Sequence, residues 1–311
     1  MMKSQTRGDL RGVILAGGNG TRMYPLGRRY PKTVLPICNK PLIGYQIEHM
    51  AKLGIRDIVI VLGRLGSDIV RTIDQWAFSD LRIQYVEQEN PQGIAHALSR
   101  VEDCVDGPML VFLADIFFRA DNLDRMVSRF CADNLNAVLA VQENADEAEI
   151  RKNFSVYTDS SARVTRVREK PDVIHNKRKG CGLYLFDRSI FDAIRRTKRS
   201  RLRNEYEITD AIQNLIDGGG KVGAESVVEW DVNVTTPDDV LRCNFLQLRA
   251  LGHDSLVGEG CSIHPGAAIR RAIIGAGVAI RHPIAVTESV IFSNAIIDGT
   301  EPLHRAIVEA C

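Results

Sequence analysis

The chain has 311 residues, of which 45% are hydrophobic and 25% charged, and its 40 basic side chains against 39 acidic ones leave a formal net charge of +1. This balance argues against a broad polyanion-binding surface, so no nucleic-acid partner is expected and any cationic chemistry must be local. Apolar runs far shorter than the roughly twenty residues of a membrane span, and seven scattered cysteines with no CxxC pair, argue against a membrane partner, a disulfide framework and a zinc site; a cytoplasmic location is expected.

The length suits about two domains. From residue 12 onward, "GVILAG", "DIVIVLG", "LRIQYVEQ", "PMLVFLAD" and "NAVLAVQE" read as Val/Ile/Leu-rich strands bounded by turn residues. Between them Ile43, Ile47 and Met50, and later Leu123, Met126 and Phe130, recur at helical spacing. Strands alternating with helices predict an α/β fold with a mostly parallel, Rossmann-like sheet, whose ligands bind at the carboxyl ends of the strands. After residue 150, "SVYTD", "RVTRVREKP" and "GCGLYLFD" read as antiparallel strands, followed by helices near 188–197 and 206–217 and by "SVVEWDVNV". In the last sixty residues Val257, Ile263 and Ile269 are spaced by six, and Ile274, Ile280 and Val286 repeat the step after a one-residue slip. That period predicts a parallel β-helix of about three short coils, too few to stand without packing on another part of the chain or a partner. The expected division is residues 1–250 and 251–311.

The stretch "GVILAGGNGTRMYPLGRRYPKTVLPI" places three glycines and two spaced cations, Arg22 and Lys32, after the first strand. A glycine loop between strand and helix lets successive backbone N–H groups converge on phosphate oxygens, although alone it serves equally as a tight turn. It lacks the Lys-Ser/Thr pair of a P-loop and the spacing of a dinucleotide fingerprint.

Over residues 15–41 the chain resembles the sugar-1-phosphate nucleotidyltransferases, whose pattern is L-A-G-G-x-G-T-R-x-x-P-L-T-x-x-x-P-K-x-x-L-P-V-x-x-K-P. Gly27 stands for the usual Thr and Ile37 for the usual Val. The resemblance implies that Leu15, Gly17, Gly18, Gly20 and Thr21 bind the nucleotide and that Arg22 and Lys32 are catalytic cations. Later segments follow in the family's order. "QENPQGIAHAL" is similar to the Q-x-x-P-x-G-L-A-Q-A of glucose-1-phosphate thymidylyltransferases, which implies that Gln88 and the Gly93 backbone face a pyrimidine base; on its own Gln88 reads as a polar strand end.

"VFLADIF" occupies the place of L-G-D-N, which makes Asp115 a Mg²⁺ ligand by resemblance and a helix cap otherwise; Ala114 and Ile116 depart from the pattern. "REKP" resembles E-K-P, which implies that Glu169 binds sugar hydroxyls and that Lys170 holds the sugar phosphate as a catalytic cation. Without the resemblance the pair reads as solvated charges before a turn. Gly182 of "GCGLYLFD" and Arg203 of "RNEYEITD" complete the implied sugar-phosphate side. In "EWDVNVTTPDD" the Thr-Pro pair aligns Asn233 with the family's second metal ligand, with Asp231 in reserve.

The implied activity is Mg²⁺-dependent transfer of a nucleotidyl group from an NTP, dTTP or UTP favoured, to a sugar 1-phosphate, giving an NDP-sugar and pyrophosphate. The resemblance also implies a left-handed β-helix, and the coil surfaces of so short a solenoid suggest a homo-oligomer. Two alternatives stand beside this reading. One is a mannose-1-phosphate guanylyltransferase, where such a tail is common; the other is a degenerate nucleotide-sugar-binding regulator, suggested by Ala114, Ile116 and Ser155.

Overall fold

The computed structural model describes residues 10–18, 23, 26, 30–76, 78, 80–201 and 203–310. Gly20, Thr21 and Arg22 lie outside the described residues. The chain divides into two compact units, the described residues of 1–19 and 46–231, and those of 20–45 and 232–311.

In chain order the elements are β1 (Arg11–Ala16), β2 (Pro36–Ile37), β3 (Lys40–Pro41), α1 (Leu42–Lys52), β4 (Asp57–Leu62), α2 (Gly66–Gln75), β5 (Arg82–Glu87), α3 (Ile94–Ser99), β6 (Met109–Leu113) and β7 (Ile116–Ala120). There follow α4 (Asp124–Ala132), β8 (Ala137–Gln142), α5 (Glu147–Lys152), β9 (Phe154–Thr158), β10 (Val164–Glu169), β11 (Lys179–Phe186), α6 (Ser189–Arg196), α7 (Ile208–Asp217), β12 (Val222–Ser226), β13 (Val228–Asn233) and α8 (Pro237–Ala250).

The first unit is built on a nine-stranded sheet with the path β10-β9-β11-β6-β1-β4-β5, β8 lying beside β11 and β12 beside β8. Pairings β6-β1, β1-β4, β4-β5 and β8-β12 are parallel, while β11 runs antiparallel to β6, β8 and β9. The apolar run of β1 has one explanation: its last five residues are all buried, as expected of a parallel strand covered on both faces. β5 at the sheet edge alternates exposed and half-buried residues over its first four positions and carries charge at both ends. A core cluster on one face of the sheet runs from Val13, Val59 and Val111 to Phe186, Phe191 and Ile212, and Ile14, Ile60 and Phe112 are buried on the other face.

The expected strand over 108–115 ends at Leu113, and after a turn at Ala114 and Asp115 the chain enters β7, which leaves the main sheet to pair with β13. Gln46 of α1, 1% exposed, donates from Nε2 to the carbonyls of Leu113 (2.9 Å) and Ile116 (3.0 Å), and Ala114 N–H donates to Leu15 O. The turn that carries Asp115 is therefore held from two neighbours.

In the second unit α8 begins with a capping box, the Thr236 side chain accepting from the Asp239 N–H and the Asp239 carboxylate accepting from the Thr236 N–H, with Pro237 at the first helical position. The β2–β3 hairpin turns through Cys38 and Asn39, both at positive φ, as a two-residue hairpin loop requires. Fully buried Asn244 of α8 accepts from Cys38 N–H and donates to Pro36 O, fastening hairpin to helix.

Ten short parallel strands then form the β-helix. β14 (Leu256–Val257), β17 (Ile273–Ile274), β20 (Val290–Ile291) and β23 (Ile307–Val308) make one face. β15 (Ser262–Ile263), β18 (Ala279–Ile280) and β21 (Ile296–Ile297) make the second, and β16 (Ala268–Arg270), β19 (Ala285–Thr287) and β22 (Leu303–His304) the third. Val257 pairs with Ile274, Ile274 with Ile291, and Ile291 with Val308, so the slip after Ile269 recurs at every coil. Ile274, Ile280, Val286, Ile291 and Ile297 stack inside, whereas Val257 in the first coil is 47% exposed. Asn39 donates to Ile274 O and Tyr30 packs edge-on against Phe292, so three coils do not stand alone within this unit.

Candidate functional site

The carboxyl ends of β1, β4, β5 and β6 lie at one edge of the nine-stranded sheet, and the antiparallel register places the start of β11 at that same edge. Here the first unit gathers Gly17, Gly18, Gln88, Asp115, Gly182 and Glu169. A Cβ on Gly17 would lie 2.5 Å from Gln88 Oε1, and one on Gly63 would lie 2.6 Å from Gly17 O, whereas one on Gly18 meets nothing within 4 Å. A side chain at Gly63 would thus strike the backbone of Gly17, one at Gly17 would strike only the end of Gln88, and one at Gly18 would enter open space. Leu15, 9% exposed, sits inside β1 with its carbonyl bound to Ala114 N–H.

Gln88, 4% exposed, follows β5, and its N–H donates to Leu62 O. Its side-chain Nε2 lies 2.7 Å from His96 Nδ1 on α3. The imidazole stacks with Tyr206, and burial, with Arg100 and Arg199 adding to it, pushes its pKa below the ordinary histidine value. Gly93 has φ of 112°, and a Cβ there would come within 2.5 Å of Tyr206 O. Its freedom serves the close pairing of 92–95 with Tyr206, whose N–H donates to Gln92 O and whose carbonyl accepts from Ala95 N–H.

At the other end of the edge the contacts are ionic. Arg203 Nε donates to Glu207 Oε1 at 2.8 Å and its second nitrogen also reaches the Glu207 carboxylate, a forked pair with a carboxylate only 3% exposed. The same guanidinium lies 3.4 Å from Glu169 Oε1, and Thr209 Oγ1 donates to Glu169 Oε2 at 3.3 Å. Burial pushes the Glu169 carboxyl up to about 7, against the opposing pull of Arg203, with Glu207 adding to the rise. Lys170 takes φ of 40°, a left-handed backbone held by its N–H on Asn153 O at 2.7 Å, conformational strain of a kind that clusters at functional sites.

Gly182, at φ of 67°, sits where the β11–β8 register breaks between Gly180 and Tyr184. The space its missing Cβ leaves is taken by Ile116, whose Cδ1 would lie 2.2 Å from a Cβ there, so an apolar wall stands beside the glycine.

Asp115 is half-buried in its turn. Asp231 is buried, with Oδ1 2.6 Å from Lys179 Nζ; both side chains are almost wholly enclosed. Burial pushes the Asp231 carboxyl up, and Lys179 opposes that rise. Asn233, at the end of β13, and Lys32, in a short 3-10 turn after Pro31, belong to the second unit and are half-buried. Carboxylate and amide oxygens of the Asp115 and Asn233 types suit Mg²⁺, a hard cation that takes few protein ligands and keeps phosphate oxygens and water. No group of three or more His, Cys, Asp or Glu fit for a metal occurs among the described residues.

Four residues of consequence carry no signal in the sequence pattern: Gln46 under the Asp115 turn, His96 beside Gln88, Glu207 behind Arg203, and Lys179 against Asp231.

The family profile described as nucleotidyl transferase matches residues 11–232, and that of the GlmU-like C-terminal hexapeptide matches residues 245–311. The chain is 32% identical over 230 residues to the UTP–glucose-1-phosphate uridylyltransferase AglF of Haloferax volcanii, covering 74% of this chain and 93% of that protein. It is 28% identical over 308 residues to a glucose-1-phosphate thymidylyltransferase of Streptomyces antibioticus, covering 94% and 85%. A UDP-glucose pyrophosphorylase solved with UDP-glucose shares the fold at a TM-score of 0.68 and 22% identity, covering 77% of this chain and 98% of that one. With its glycine loop, its strand-end carboxylate and a C-terminal left-handed β-helix, the chain belongs to the nucleotidyl transferase family.

Proposed function

We propose that the protein transfers a nucleotidyl group from dTTP or UTP to a sugar 1-phosphate, releasing pyrophosphate. The observation that carries this reading is the pairing, at one sheet edge, of a buried amide at Gln88 with a charge cluster at Glu169, Arg203 and Glu207. Related proteins named as uridylyl- and thymidylyltransferases support the choice of pyrimidine.

A phosphate oxygen of the sugar 1-phosphate attacks the α-phosphorus; the new O–P bond forms as the bond to the β-phosphate oxygen breaks, and the electron pair leaves with pyrophosphate. The nucleophile is already an anion near neutral pH and needs no general base. The chain's task is to hold two polyanions in line and to stabilise the charge that develops. Gly17, Gly18, Gly20 and Thr21 cradle the triphosphate beside Leu15, and Gln88 and the Gly93 backbone bind the base. Arg22 and Lys32 draw charge towards the leaving group. Lys170 and Arg203 hold the sugar phosphate, with Glu169 on the sugar hydroxyls and Gly182 beside the ring. Asp115 and Asn233 would hold Mg²⁺, which when bound neutralises phosphate charge; Asp231, engaged by Lys179, stands in reserve.

The functional division proposed is residues 1–250 for transfer and 251–311 for the coils. A cytoplasmic homo-oligomer is part of the same proposal. It is supported by six free cysteines among the described residues and by coil strands with an open edge at β14, β15 and β16. No helix among the described residues is long and apolar enough to cross a membrane.

The test is pyrophosphate release with Mg²⁺, crossing dTTP, UTP, GTP, CTP and ATP with glucose, N-acetylglucosamine, mannose and galactose 1-phosphates. Turnover with dTTP or UTP that falls about 100- to 1,000-fold in Arg22→Ala is expected. Turnover with GTP alone overturns the assignment of Gln88 to a pyrimidine. Tight nucleotide binding without turnover on any pair overturns the enzyme in favour of a regulator.

A further inference from the structure

A carboxamide has two ends of nearly equal size, one a donor and one an acceptor. When it is buried, the partner at one end decides what the other end offers. Gln88 is largely buried, so a protein group rather than bulk water supplies the partner at its nitrogen end. Its nitrogen lies 2.7 Å from His96 Nδ1, and its Oε1 is turned to Gly17, against the position a Cβ would take. Nδ1 must therefore present a lone pair, which is the neutral imidazole with its proton on Nε2.

We propose that His96 is the positioning residue for base recognition. By accepting the Gln88 amide N–H it turns the Gln88 carbonyl oxygen to the Gly17 loop, and so selects a base that offers a ring N–H, as uracil and thymine do at N3, over cytosine, whose N3 is an acceptor. The inference rests on the reading that Gln88 faces the base.

The surroundings keep the ring in the accepting form. Tyr206 stacks on it, Arg100 follows on its own helix, and Arg199, from the segment after α6, lies over Tyr206 and donates to Gln92. Both cations, together with burial, disfavour the imidazolium. Once acid does protonate Nδ1, two donors face each other. The Gln88 amide then turns over, its carbonyl accepting from His96 and its NH₂ facing the Gly17 loop. Acidification thus weakens the choice of uracil or thymine over cytosine, as a permanent donor at position 96 would do at any pH.

The experiment measures kcat/KM for UTP, dTTP and CTP with one sugar 1-phosphate from about pH 5 to about pH 8.5, in the wild type, His96→Gln and His96→Lys, alongside thermal unfolding. In the wild type the preference over CTP narrows on the acid side. His96→Gln, whose own amide oxygen accepts, keeps the preference without the acid step. His96→Lys, which only donates, loses about 10- to 100-fold in kcat/KM for the preferred nucleotide at the alkaline end, while KM for the sugar phosphate is unchanged. A folded His96→Lys with the wild-type UTP-to-CTP ratio overturns the proposal, and so does an acid step that survives in His96→Gln. If His96→Lys does not fold, the His96→Gln profile decides alone. Wild-type turnover with GTP and neither UTP nor dTTP overturns instead the assignment of Gln88.

Discussion

The two ends of the sheet edge solve different problems with different chemistry. Around Gly17 the buried contacts are neutral: an amide, an imidazole and a tyrosine ring, with cations kept one layer away. Around Glu169 they are ionic, with one guanidinium shared among the carboxylates of Glu169, Glu205 and Glu207 and a hydroxyl closing the set. Neutral hydrogen bonds are directional and can tell a donor from an acceptor, which suits reading a base. Charge is long-ranged and tolerant of angle, which suits holding a phosphate, but it must be balanced while the site is empty. Glu207 supplies that balance for Arg203.

The contrast predicts where mutation harms the fold and where it harms only recognition. Arg203→Ala should have the largest effect, because it leaves Glu207, 3% exposed, as a buried carboxylate without its partner. The expected loss is about 3 kcal/mol in stability, read by urea unfolding, together with about 100-fold in kcat/KM for the sugar phosphate. A variant of wild-type stability would show that the ionic cluster is not buried in solution.

Glu169 sharpens the contrast through pH. Its carboxyl is pushed from 4.5 to about 7, so the folded chain resists the charge that the unfolded chain accepts. A carboxyl raised on folding costs stability as pH climbs from the unfolded value, and the cost is complete above about 7. It reaches roughly 3 kcal/mol at most. Glu169→Gln should therefore raise Tm at pH 8 and leave it unchanged at pH 4, while weakening sugar-phosphate turnover at both. Equal shifts in Tm at the two pH values would rule out this titration.

The smallest effects are expected at the glycines. A Cβ on Gly17 meets only the end of a movable side chain, Gln88 Oε1. Gly17→Ala should cost less than about 1 kcal/mol in stability yet raise KM for the nucleotide about 10-fold by displacing that oxygen. Gly18→Ala, with open space around it, should stay within about 0.5 kcal/mol of the wild type in unfolding. A large destabilisation there would mean the loop packs elsewhere than shown.

Much of the fold was legible because its cause is local. β1, β4 and β6 are unbroken apolar runs because both their faces are covered, and the coils announce themselves through an aliphatic residue at every sixth position. The departure of β7 from the sheet was not legible, since "VFLADIF" reads as a strand running into its turn. What breaks it is Gln46, some seventy residues earlier, bonding the carbonyls on either side of Asp115. Glu207, His96 and Lys179 were invisible for the same reason, each having meaning only through a partner distant in the chain or outside any periodic pattern.

The sequence by itself determined the order of strands and helices, the glycine loop after the first strand, the cations and carboxylates available for phosphate chemistry, and the step of the β-helix. These follow from side-chain type and spacing along a few residues. Tertiary structure alone decided that Asp231 faces Lys179, that Ile116 fills the space beside Gly182, that Gln88 turns its oxygen to Gly17, and that the Glu169 carboxyl is pushed up. Desolvation and hydrogen-bond direction depend on what surrounds a group in space, and those neighbours are assembled only when distant segments of the chain meet.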